Sequence, residues 1–371
     1  MANKGMFIVG GLFLVLAGCA TAKRAAPPPP TLSQAFAGDF MMGAAVNTSQ
    51  FEEKDTAATL LLKQQFNTVT PENCMKAGIL HTGWNTYNFN AADSLVAFAA
   101  ANKLSVNAHC LIWHSQLPGF VRNMQDADSV RQYFTSHINT VAARYDGKVY
   151  SWDVVNEALN EDGTLRNTIF RQKLGDGYVA EAFRLAAAAA PHTSLYYNDY
   201  NIEQPQKRAG AIALIKSIQQ AGVRVDGIGI QGHWNIHHLP LEDIEASIKA
   251  FSSLGIKVMF TELDISVLPD PAQVTGADVN QQAIYNQQLN PFVNGLPDTM
   301  QVELADAYAS LFRLFLKYKA NVSRITFWGV NDRQSWLNNW PIRGRVNHPL
   351  LFDRQNKPKA AFYAVLKTKQ H

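Results

Sequence analysis

Eight short apolar runs recur along the chain, and stretches with helical patterning separate them. The runs are Phe40–Val46, Phe66–Glu72, Ser105–Trp113, Val149–Glu157, Ser194–Asp199, Gly227–Trp234, Lys257–Ile265 and Arg324–Asp332. Several of them are apolar almost throughout, which is typical of parallel strands that are buried on both faces. Eight such strands alternating with helices favour an α/β fold of the (β/α)8 TIM barrel type, built as a single domain.

The stretches between the runs have the spacing of helices. Helices are predicted at Ala91–Asn102, Ser129–Arg144, Tyr178–Ala190, Gln206–Ala221, Leu241–Leu254 and Ala283–Phe292. A doubly wound open sheet is the alternative that the pattern alone leaves open. No GxGxxG or GxxxxGK[ST] motif follows a strand, which disfavours a nucleotide-binding version of that fold.

Composition narrows the class of protein further. The 371 residues are 47% hydrophobic and 17% charged, and their formal net charge is +3. This supply of apolar residues excludes disorder for the bulk of the chain, and the small net charge argues against a nucleic-acid partner. No apolar run reaches the roughly 20 residues that a spanning helix needs, which excludes a multi-pass membrane protein. We expect the protein to be monomeric.

The first residues of the chain have the layout of a secretion signal. Lys4 supplies a positive charge, and the apolar stretch from Met6 to Ala17 is too short to span a membrane. The residues Leu16-Ala17-Gly18-Cys19 resemble a bacterial lipobox, in which the chain is cut before Cys19 and the thiol is acylated. The resemblance implies a cell-envelope lipoprotein held by more than one acyl chain, which suffices for stable anchoring.

A proline-rich segment follows the lipobox. Pro27 to Pro30 favour the extended polyproline II conformation, which acts as a semi-rigid spacer. Ala20, directly after the cysteine, resembles a signal for the outer membrane, at its periplasmic face or at the cell surface. The predicted organisation is a signal peptide over residues 1–18, a lipidated Cys19 with its linker over 19–31, and the barrel over 32–371.

The fourth and the seventh apolar runs each carry a glutamate at or near the end. The fourth reads SWDVVNE up to Glu157, and the seventh contains FTELDI with Glu262. Because the chemistry of such barrels occurs at the carboxyl ends of the strands, Glu157 and Glu262 are expected to face each other across the barrel mouth. Two carboxyl groups that flank a cavity suit glycosidic cleavage, with one protonated and the other ionised. We expect the charge on Glu262 to raise the pKa of Glu157.

Polar and aromatic groups also occur at the ends of the other runs. Because residues i and i+2 of a strand share a face, Asp264 is expected to point the same way as Glu262. A chain built only for stability has no reason to place such groups at strand ends. The polar and aromatic residues at the ends of these other runs are Glu72 and Asn73, His109 and Trp113, Asn198 and Asp199, Gln231 and His233, and Trp328.

These motifs resemble those of glycoside hydrolase family 10, the xylanases. The most specific are WDVVNE at Trp152–Glu157 and TELDI at Thr261–Ile265. Matching segments in the same order are PENCMK, HCLIWHSQLP, NDYN, QGHW, WGVND and RGRVNHPLLFD. The resemblance covers about residues 32–369. It implies a TIM barrel with retaining endo-β-1,4-xylanase activity on xylan and xylooligosaccharides, without a metal or other cofactor.

The resemblance also implies a role for each matching residue. Glu157 would be the acid/base and Glu262 the nucleophile, while Asn156 would bind the 2-hydroxyl of the sugar in subsite −1. His233, with Asp264 behind it, would orient Glu262. The other substrate-binding residues would be Glu72, Asn73 and Lys76 in subsite −2, His109, Trp113 and Gln231 in subsite −1, and Trp328 and Trp336 over the glycone sugars.

Some positions leave questions open. Ala77 and Phe120 stand where many relatives of the family carry Trp, which is expected to change subsite preference and not catalysis. Cys74 and Cys110 are interpreted as unpaired buried residues, with a disulfide as the alternative if they lie close together. Two other functions also stay open: a xylan-binding lipoprotein without activity, and exo-acting cleavage of cellobiosides or xylobiosides.

Overall fold

The computed structural model describes residues 1–3, 5, 29–272, 274 and 276–369. It divides the chain into two compact units, Met1–Pro30 and Thr31–His371. Most of the predicted signal peptide, Cys19 and most of the proline-rich linker lie outside the described residues. In the part of the chain that is described, no helix is both long and apolar enough to cross a membrane.

Eight parallel strands form a closed barrel in the unit that begins at Thr31. The strands are β1 (Met41–Val46), β2 (Thr68–Pro71), β3 (Ser105–Trp113), β4 (Ser151–Asn156), β5 (Ser194–Asp199), β6 (Gly227–Ile230), β7 (Lys257–Ser266) and β8 (Val322–Phe327). Neighbours pair in chain order, and β8 pairs with both β7 and β1. The predicted TIM barrel is confirmed, since the open-sheet alternative would leave two unpaired edges.

Helices connect the strands in turn. The longer ones among the described residues are α1 (Thr56–Gln65), α2 (Asn90–Ala101), α3 (Ala127–Tyr145), α4 (Tyr178–Ala189), α5 (Pro205–Gln220), α6 (Leu241–Ser252), α7 (Asp298–Lys317) and α8 (Ala360–Lys367). The helices predicted before β7 are confirmed to within two residues at each end. Shorter helical turns occupy the loops, at Leu32–Ala35, Thr48–Phe51, Ala77–Leu80, Gly119–Arg122, Ile169–Leu174, Ile236–His238, Gln287–Leu289, Asp332–Gln334 and Trp336–Asn338.

The helix predicted at Ala283–Phe292 is wrong. The structure has a 3-10 turn at Gln287–Leu289, where the Asn286 side chain accepts a hydrogen bond of 2.9 Å from the backbone N–H of Gln288. Side chains that bond the backbone in this way compete with helix formation, and a proline follows at position 291. The helix of this connection is α7, which buries residues at helical spacing, namely Leu304, Tyr308, Leu311, Phe312 and Phe315.

The two faces of the barrel wall carry different residues. Inside the barrel, a Cβ atom at Gly43 would lie 2.7 Å from Cγ2 of Thr68 and 2.9 Å from Oγ1 of Thr326, so the neighbouring strands leave no room for a side chain. On the outer face, Trp152 of β4 is fully buried, as the sequence predicted, and its ring lies 6.3 Å from that of Tyr145 in α3. The main apolar core therefore lies between the sheet and the helices.

Short additional strands shape the mouth of the barrel. His233–Asn235 follows β6 and pairs with the outer end of β7, with His233 opposite Asp264. A hairpin of His81–Gly83 and Thr86–Tyr87 follows the turn at Ala77–Leu80. The register at β7 sets the imidazole of His233 beside the carboxylates of the seventh strand.

A buried lysine fastens the loop between β8 and α8. Nζ of Lys359 lies 2.9 Å from Oδ2 of Asp332 and 2.7 Å from the carbonyl oxygens of His348 and Leu350. Burial lowers the pKa of Lys359 and raises that of Asp332, and the attraction between the two charges opposes both changes. These contacts hold in place the loop that carries Trp336 to the barrel mouth.

Candidate active site

A cavity of about 180 Å³ opens at the carboxyl ends of the barrel strands. The structure brings every predicted catalytic and substrate-binding residue to its wall. The wall consists of Glu72, Asn73, Lys76, His109, Trp113, Gln116, Asn156, Glu157, Gln231, His233, Glu262, Ala277, Val279, Trp328 and Trp336. Asp264, predicted to support His233, lies behind it and lines an adjoining cavity.

Glu157 stands at a sharp turn directly after β4. Its φ is +56°, in the left-handed region that side chains other than glycine rarely occupy. The turn is held from β5: the N–H of Glu157 donates to the carbonyl of Asn198 at 2.9 Å, and the N–H of Ala158 donates to the hydroxyl of Tyr197 at 3.1 Å. The strained backbone and its supports set the point from which the Glu157 carboxyl enters the cavity.

Three donors contact the Glu157 carboxyl. Oε2 accepts from Nε1 of Trp113 at 2.8 Å, and Oε1 accepts from Nε2 of Gln231 at 3.0 Å and from Nδ2 of Asn156 at 3.1 Å. Burial raises the pKa of Glu157, the charge on Glu262 adds to this, and the hydrogen bonds from Gln231 and Trp113 oppose it. The net pKa is raised, as the sequence predicted, although burial contributes more than the repulsion on which that prediction rested.

The surroundings of Glu262 displace its pKa in the opposite direction. Oε2 lies 3.1 Å from Nε2 of His233, and Oε1 accepts from Nδ2 of Asn198 at 2.9 Å. Burial alone would raise the pKa of Glu262, but the hydrogen bond from His233 and the interactions with His109 and Asn198 outweigh it, so its pKa lies below the ordinary value. The cavity therefore contains one carboxyl group that favours its proton and one that favours its charge.

His233 bridges two carboxylates. Its Nε2 faces Glu262, and its Nδ1 lies 3.0 Å from Oδ1 of Asp264. Burial lowers the pKa of His233, but the two carboxylates more than reverse this and raise it to about 10. Oδ2 of Asp264 also accepts from Nε1 of Trp336 at 2.7 Å. The imidazolium is thus fixed in direction and keeps a positive charge beside Glu262.

Asn198 connects the two catalytic-site glutamates, although it was not among the predicted binding residues. Its Nδ2 donates to Oε1 of Glu262 and to Oδ1 of Asn156, both at 2.9 Å, while its own Oδ1 accepts from Thr261 at 2.6 Å. Asn156 in turn donates to Glu157. The available signal was its place at the end of β5 in the NDYN motif. This chain of amides orients both carboxyl groups relative to each other.

The walls on the β2 and β3 side combine a cation with an indole. Nζ of Lys76 lies 4.8 Å from the ring centroid of Trp113 and 3.4 Å from Oδ1 of Asn73. His109 lies deeper, with Nδ1 at 3.0 Å from Oδ2 of Asp153. This wall offers the ammonium group of Lys76 and the amide of Asn73 to hydroxyls, with the indole of Trp113 beside them.

The opposite wall is aromatic. The rings of Trp328 and His109 lie at 78° to each other with centroids 5.7 Å apart, and the rings of Trp336 and His233 have centroids 4.8 Å apart. Trp340 stacks on Trp336 with centroids 4.5 Å apart. Trp340 and His233 also line a second cavity of about 260 Å³. Because His233 lines both cavities, the second adjoins the first at this residue.

Loop residues complete the cavity in a way that strand patterning could not predict. Gln116, Ala277 and Val279 come from loops after β3 and β7. Gln116 has a φ of +48°, and its carbonyl lies so close to Gly78 that a Cβ there would be 2.4 Å from the oxygen. Loop conformation of this kind depends on packing between segments far apart in the chain.

The two positions that depart from the family pattern lie off the cavity. Ala77 is buried at the start of the turn Ala77–Leu80, and Phe120 packs its ring near His81 and Trp84. Within the described ranges, neither residue is part of the cavity wall. Both remaining cysteines, Cys74 and Cys110, are buried and unbonded.

The side chains of the described residues do not form a metal site. No group of three or more His, Cys, Asp or Glu side chains among them is arranged to hold a metal ion. Proton transfer and nucleophilic attack can both be supplied by the two glutamates.

Comparisons of the sequence and of the fold with known proteins agree with one another. The chain is 39% identical to endo-1,4-beta-xylanase A of Xylanibacter ruminicola over 99% of both chains, and 36% identical to endo-1,4-beta-xylanase B of Paenibacillus barcinonensis over 91% of this chain and 98% of that one. It superposes on an endoxylanase retrieved from a sugarcane soil metagenome with a TM-score of 0.87 and 36% identity, covering 91% of this chain and 99% of that chain. The sequence model for glycosyl hydrolase family 10 matches residues 31–368. A barrel with two glutamates of opposite protonation preference at its mouth, and a family match over nearly all of that barrel, lead to one conclusion: the chain belongs to glycosyl hydrolase family 10.

Proposed function

We propose that the protein is a retaining endo-1,4-β-xylanase that cleaves the xylan backbone by double displacement. The observation that carries the proposal is the pair Glu157 and Glu262 in one cavity, with a raised and a lowered pKa respectively. Glycosidic cleavage needs this division between a proton donor and an anion. The xylanase activity in the names of the similar proteins supports the choice of substrate.

In the first step, Glu157 gives its proton to the glycosidic oxygen while Glu262 attacks the anomeric carbon. The bond to the leaving sugar breaks, and a covalent glycosyl-enzyme forms on Glu262. Esterification removes the charge on Glu262, which lowers the pKa of Glu157 and allows it to act as a base. Water then loses a proton to Glu157 and displaces Glu262, which returns the sugar with its original β configuration.

The wall residues bind sugar in the proposed roles. Asn156 hydrogen-bonds the 2-hydroxyl in subsite −1, a contact that strengthens in the transition state. His109, Trp113 and Gln231 complete subsite −1, and Glu72, Asn73 and Lys76 bind subsite −2. Trp328 and Trp336 cover the apolar faces of the pyranose rings. Endo action is supported by the names of the similar proteins, which are endo-1,4-beta-xylanases.

The proposal is tested with xylan and xylohexaose. We expect new reducing ends from xylan, internal cleavage of xylohexaose, and a β anomer as the first product in proton NMR. Retention also predicts that the two carboxyl groups lie about 5–5.5 Å apart. Absence of new reducing ends would refute the activity, an α anomer would refute the mechanism, and release of only terminal disaccharides would refute endo action.

Glu262→Ala separates an enzyme from a binding protein. Because the nucleophile is lost, we expect kcat on xylan to fall by roughly 10⁴-fold or more, while affinity for xylooligosaccharides is retained. Asp126→Ala, at the exposed N-cap of α3, serves as the control and should keep activity. If the wild-type protein binds xylan without turnover and Glu262→Ala behaves identically, the protein is a xylan-binding lipoprotein instead.

For localisation, we propose that Cys19 is acylated after removal of residues 1–18 and anchors the monomeric barrel in the outer membrane through the linker over 19–31. The lipobox-like segment and the prolines Pro27 to Pro30 support this. In a Gram-negative host, the wild-type chain should fractionate with the outer membrane and carry a diacylglyceryl group at Cys19 in mass spectrometry. Cys19→Ala should be soluble. Equal fractionation of the two would contradict the anchor.

A further inference from the structure

A fully buried ion pair lies under the turn that carries Glu157. Nζ of Lys207, in α5, lies 3.1 Å from Oδ1 of Asp199 at the end of β5, and both side chains are 0% exposed. Nζ also lies 3.1 Å from Oε1 of Glu161 and 3.6 Å from the ring centroid of Tyr200. A buried ion pair often adds little stability compared with apolar residues of similar size, so its presence here suggests another use.

Asp199 contacts the turn through two hydrogen bonds. Its Oδ2 accepts from the hydroxyl of Tyr197 and lies 3.4 Å from the backbone nitrogen of Leu159. The hydroxyl of Tyr197 in turn accepts from the N–H of Ala158 at 3.1 Å. The two peptide groups that follow Glu157 are therefore both held by acceptors whose places depend on Asp199.

The turn needs such support because its backbone is strained. Glu157 has a φ of +56°, which side chains adopt only when the surrounding structure imposes it. Arg166 holds the turn from the other side, with Nη2 donating to the carbonyl of Leu159 at 2.9 Å. Without its acceptors, the turn is free to relax toward an ordinary conformation, and the Glu157 carboxyl would move with it.

We infer that Lys207 and Asp199 are positioning residues for proton donation: their ion pair fixes the acceptors that hold the turn after β4, and the turn directs the Glu157 carboxyl at the glycosidic oxygen. The inference rests on the proposed role of Glu157. Lys207 lies in the first turn of α5, outside every motif that marks the active site.

This role predicts a defect that depends on the leaving group. A leaving group that departs as a stable anion needs no proton, whereas a poor one does. The ratio kcat/KM reports the first displacement, in which Glu157 acts as the acid. A misplaced acid should therefore slow the cleavage of phenyl β-xylobioside and leave that of 2,4-dinitrophenyl β-xylobioside nearly unchanged.

The principal variant is Lys207→Met, which keeps much of the side-chain volume and removes the charge. We expect kcat/KM for phenyl β-xylobioside to fall by about 10- to 100-fold and that for the dinitrophenyl substrate by less than about threefold. Azide should raise kcat of the variant on the dinitrophenyl substrate and yield β-xylobiosyl azide, because an anion attacks the glycosyl-enzyme without a base.

Lys359→Met is the matched control, because Lys359 is also a buried lysine paired with an aspartate, at 2.9 Å from Asp332. It should lower the thermal midpoint without any leaving-group dependence. If Lys207→Met does not fold, Tyr197→Phe serves as the milder variant, since it keeps the ring and removes only the hydroxyl that joins Asp199 to Ala158. It should show the same dependence at smaller amplitude.

The outcomes separate the inference from the proposed function. An inactive wild-type enzyme would refute the xylanase proposal itself. An active wild type, together with a Lys207→Met variant that slows both substrates equally or neither, would overturn the positioning role. An equal dependence on the leaving group in the control Lys359→Met would overturn it as well.

Discussion

Glu157 and Glu262 are the same residue type, yet their surroundings displace their pKa values in opposite directions. Glu157 is buried and receives only neutral donors, from Trp113, Gln231 and Asn156. Glu262 is equally buried but faces the charged imidazole of His233. Activity needs Glu262 ionised and Glu157 protonated, so kcat/KM should fall below the pKa of Glu262 and above that of Glu157.

Trp113→Phe tests this assignment at a single hydrogen bond. The variant removes the N–H that donates to Oε2 of Glu157 and keeps a ring in place. Because that bond stabilises the carboxylate, its loss should raise the pKa of Glu157, and the alkaline limb of the kcat/KM profile should move to higher pH. The acid limb, which follows Glu262, should stay in place. Trp84→Phe, away from the cavity, should leave both limbs unchanged, and a downward move of the alkaline limb in Trp113→Phe would contradict the assignment.

Among the elements, β1 is constrained by its contacts inside the barrel. Gly43 lies between Thr68 of β2 and Thr326 of β8, at the point where the first and last strands meet. A methyl group there overlaps both threonines, and the closure of the barrel leaves neither strand free to move outward. Glycine is therefore required at position 43 by the close approach of the neighbouring strands. Local backbone conformation does not require it, since the φ of Gly43 is not positive.

Gly43→Ala should consequently lower stability. We expect a loss of about 1–3 kcal/mol in the free energy of unfolding, measured by urea denaturation, because overpacking forces the neighbours apart. Gly119→Ala is the control, since no atom lies within 4 Å of a Cβ at that position. It should change the free energy by less than about 0.5 kcal/mol. Equal effects of the two would contradict the steric account.

At the scale of the whole molecule, the closed barrel brings residues from distant parts of the chain to one mouth. The loop between β8 and α8 adds Trp336 and Trp340 to that mouth, and the buried contacts of Lys359 tie the same loop to the barrel. The stability of the C-terminal segment and the shape of the cleft are therefore coupled through one side chain.

Lys359→Met should destabilise the whole barrel. The substitution leaves Asp332 buried without its partner, which typically costs about 3–5 kcal/mol. Urea unfolding checks the value, and Lys367→Met, on an exposed position of α8, is the control with an expected change below about 0.5 kcal/mol. An unchanged free energy of unfolding in Lys359→Met would show that the ion pair is not needed to hold the loop.

Several features of this protein could be predicted from its residues before any coordinates. The near-continuous apolar runs identified the eight strands, and the rule that chemistry occurs at strand carboxyl ends brought Glu157 and Glu262 together. The confirmed helices have strong local signals, such as the alanines closed by Pro191 after α4. The prediction of a helix at Ala283–Phe292 was wrong. The segment contains apolar residues, but the hydrogen bond between the Asn286 side chain and the backbone and the proline at position 291 disfavour a helix there.

The sequence by itself thus determined the order of the elements along the chain, the positions of the strands and the residue types at the barrel mouth. These features depend on local periodicity and on the rule that chemistry occurs at the carboxyl ends of the strands. Tertiary structure alone decided the rest. Burial, which is the largest influence on the pKa of Glu157, exists only once the strands close around it. The place of Lys207 beneath the catalytic turn likewise arises from packing between α5 and β5, and no pattern within the helix encodes it.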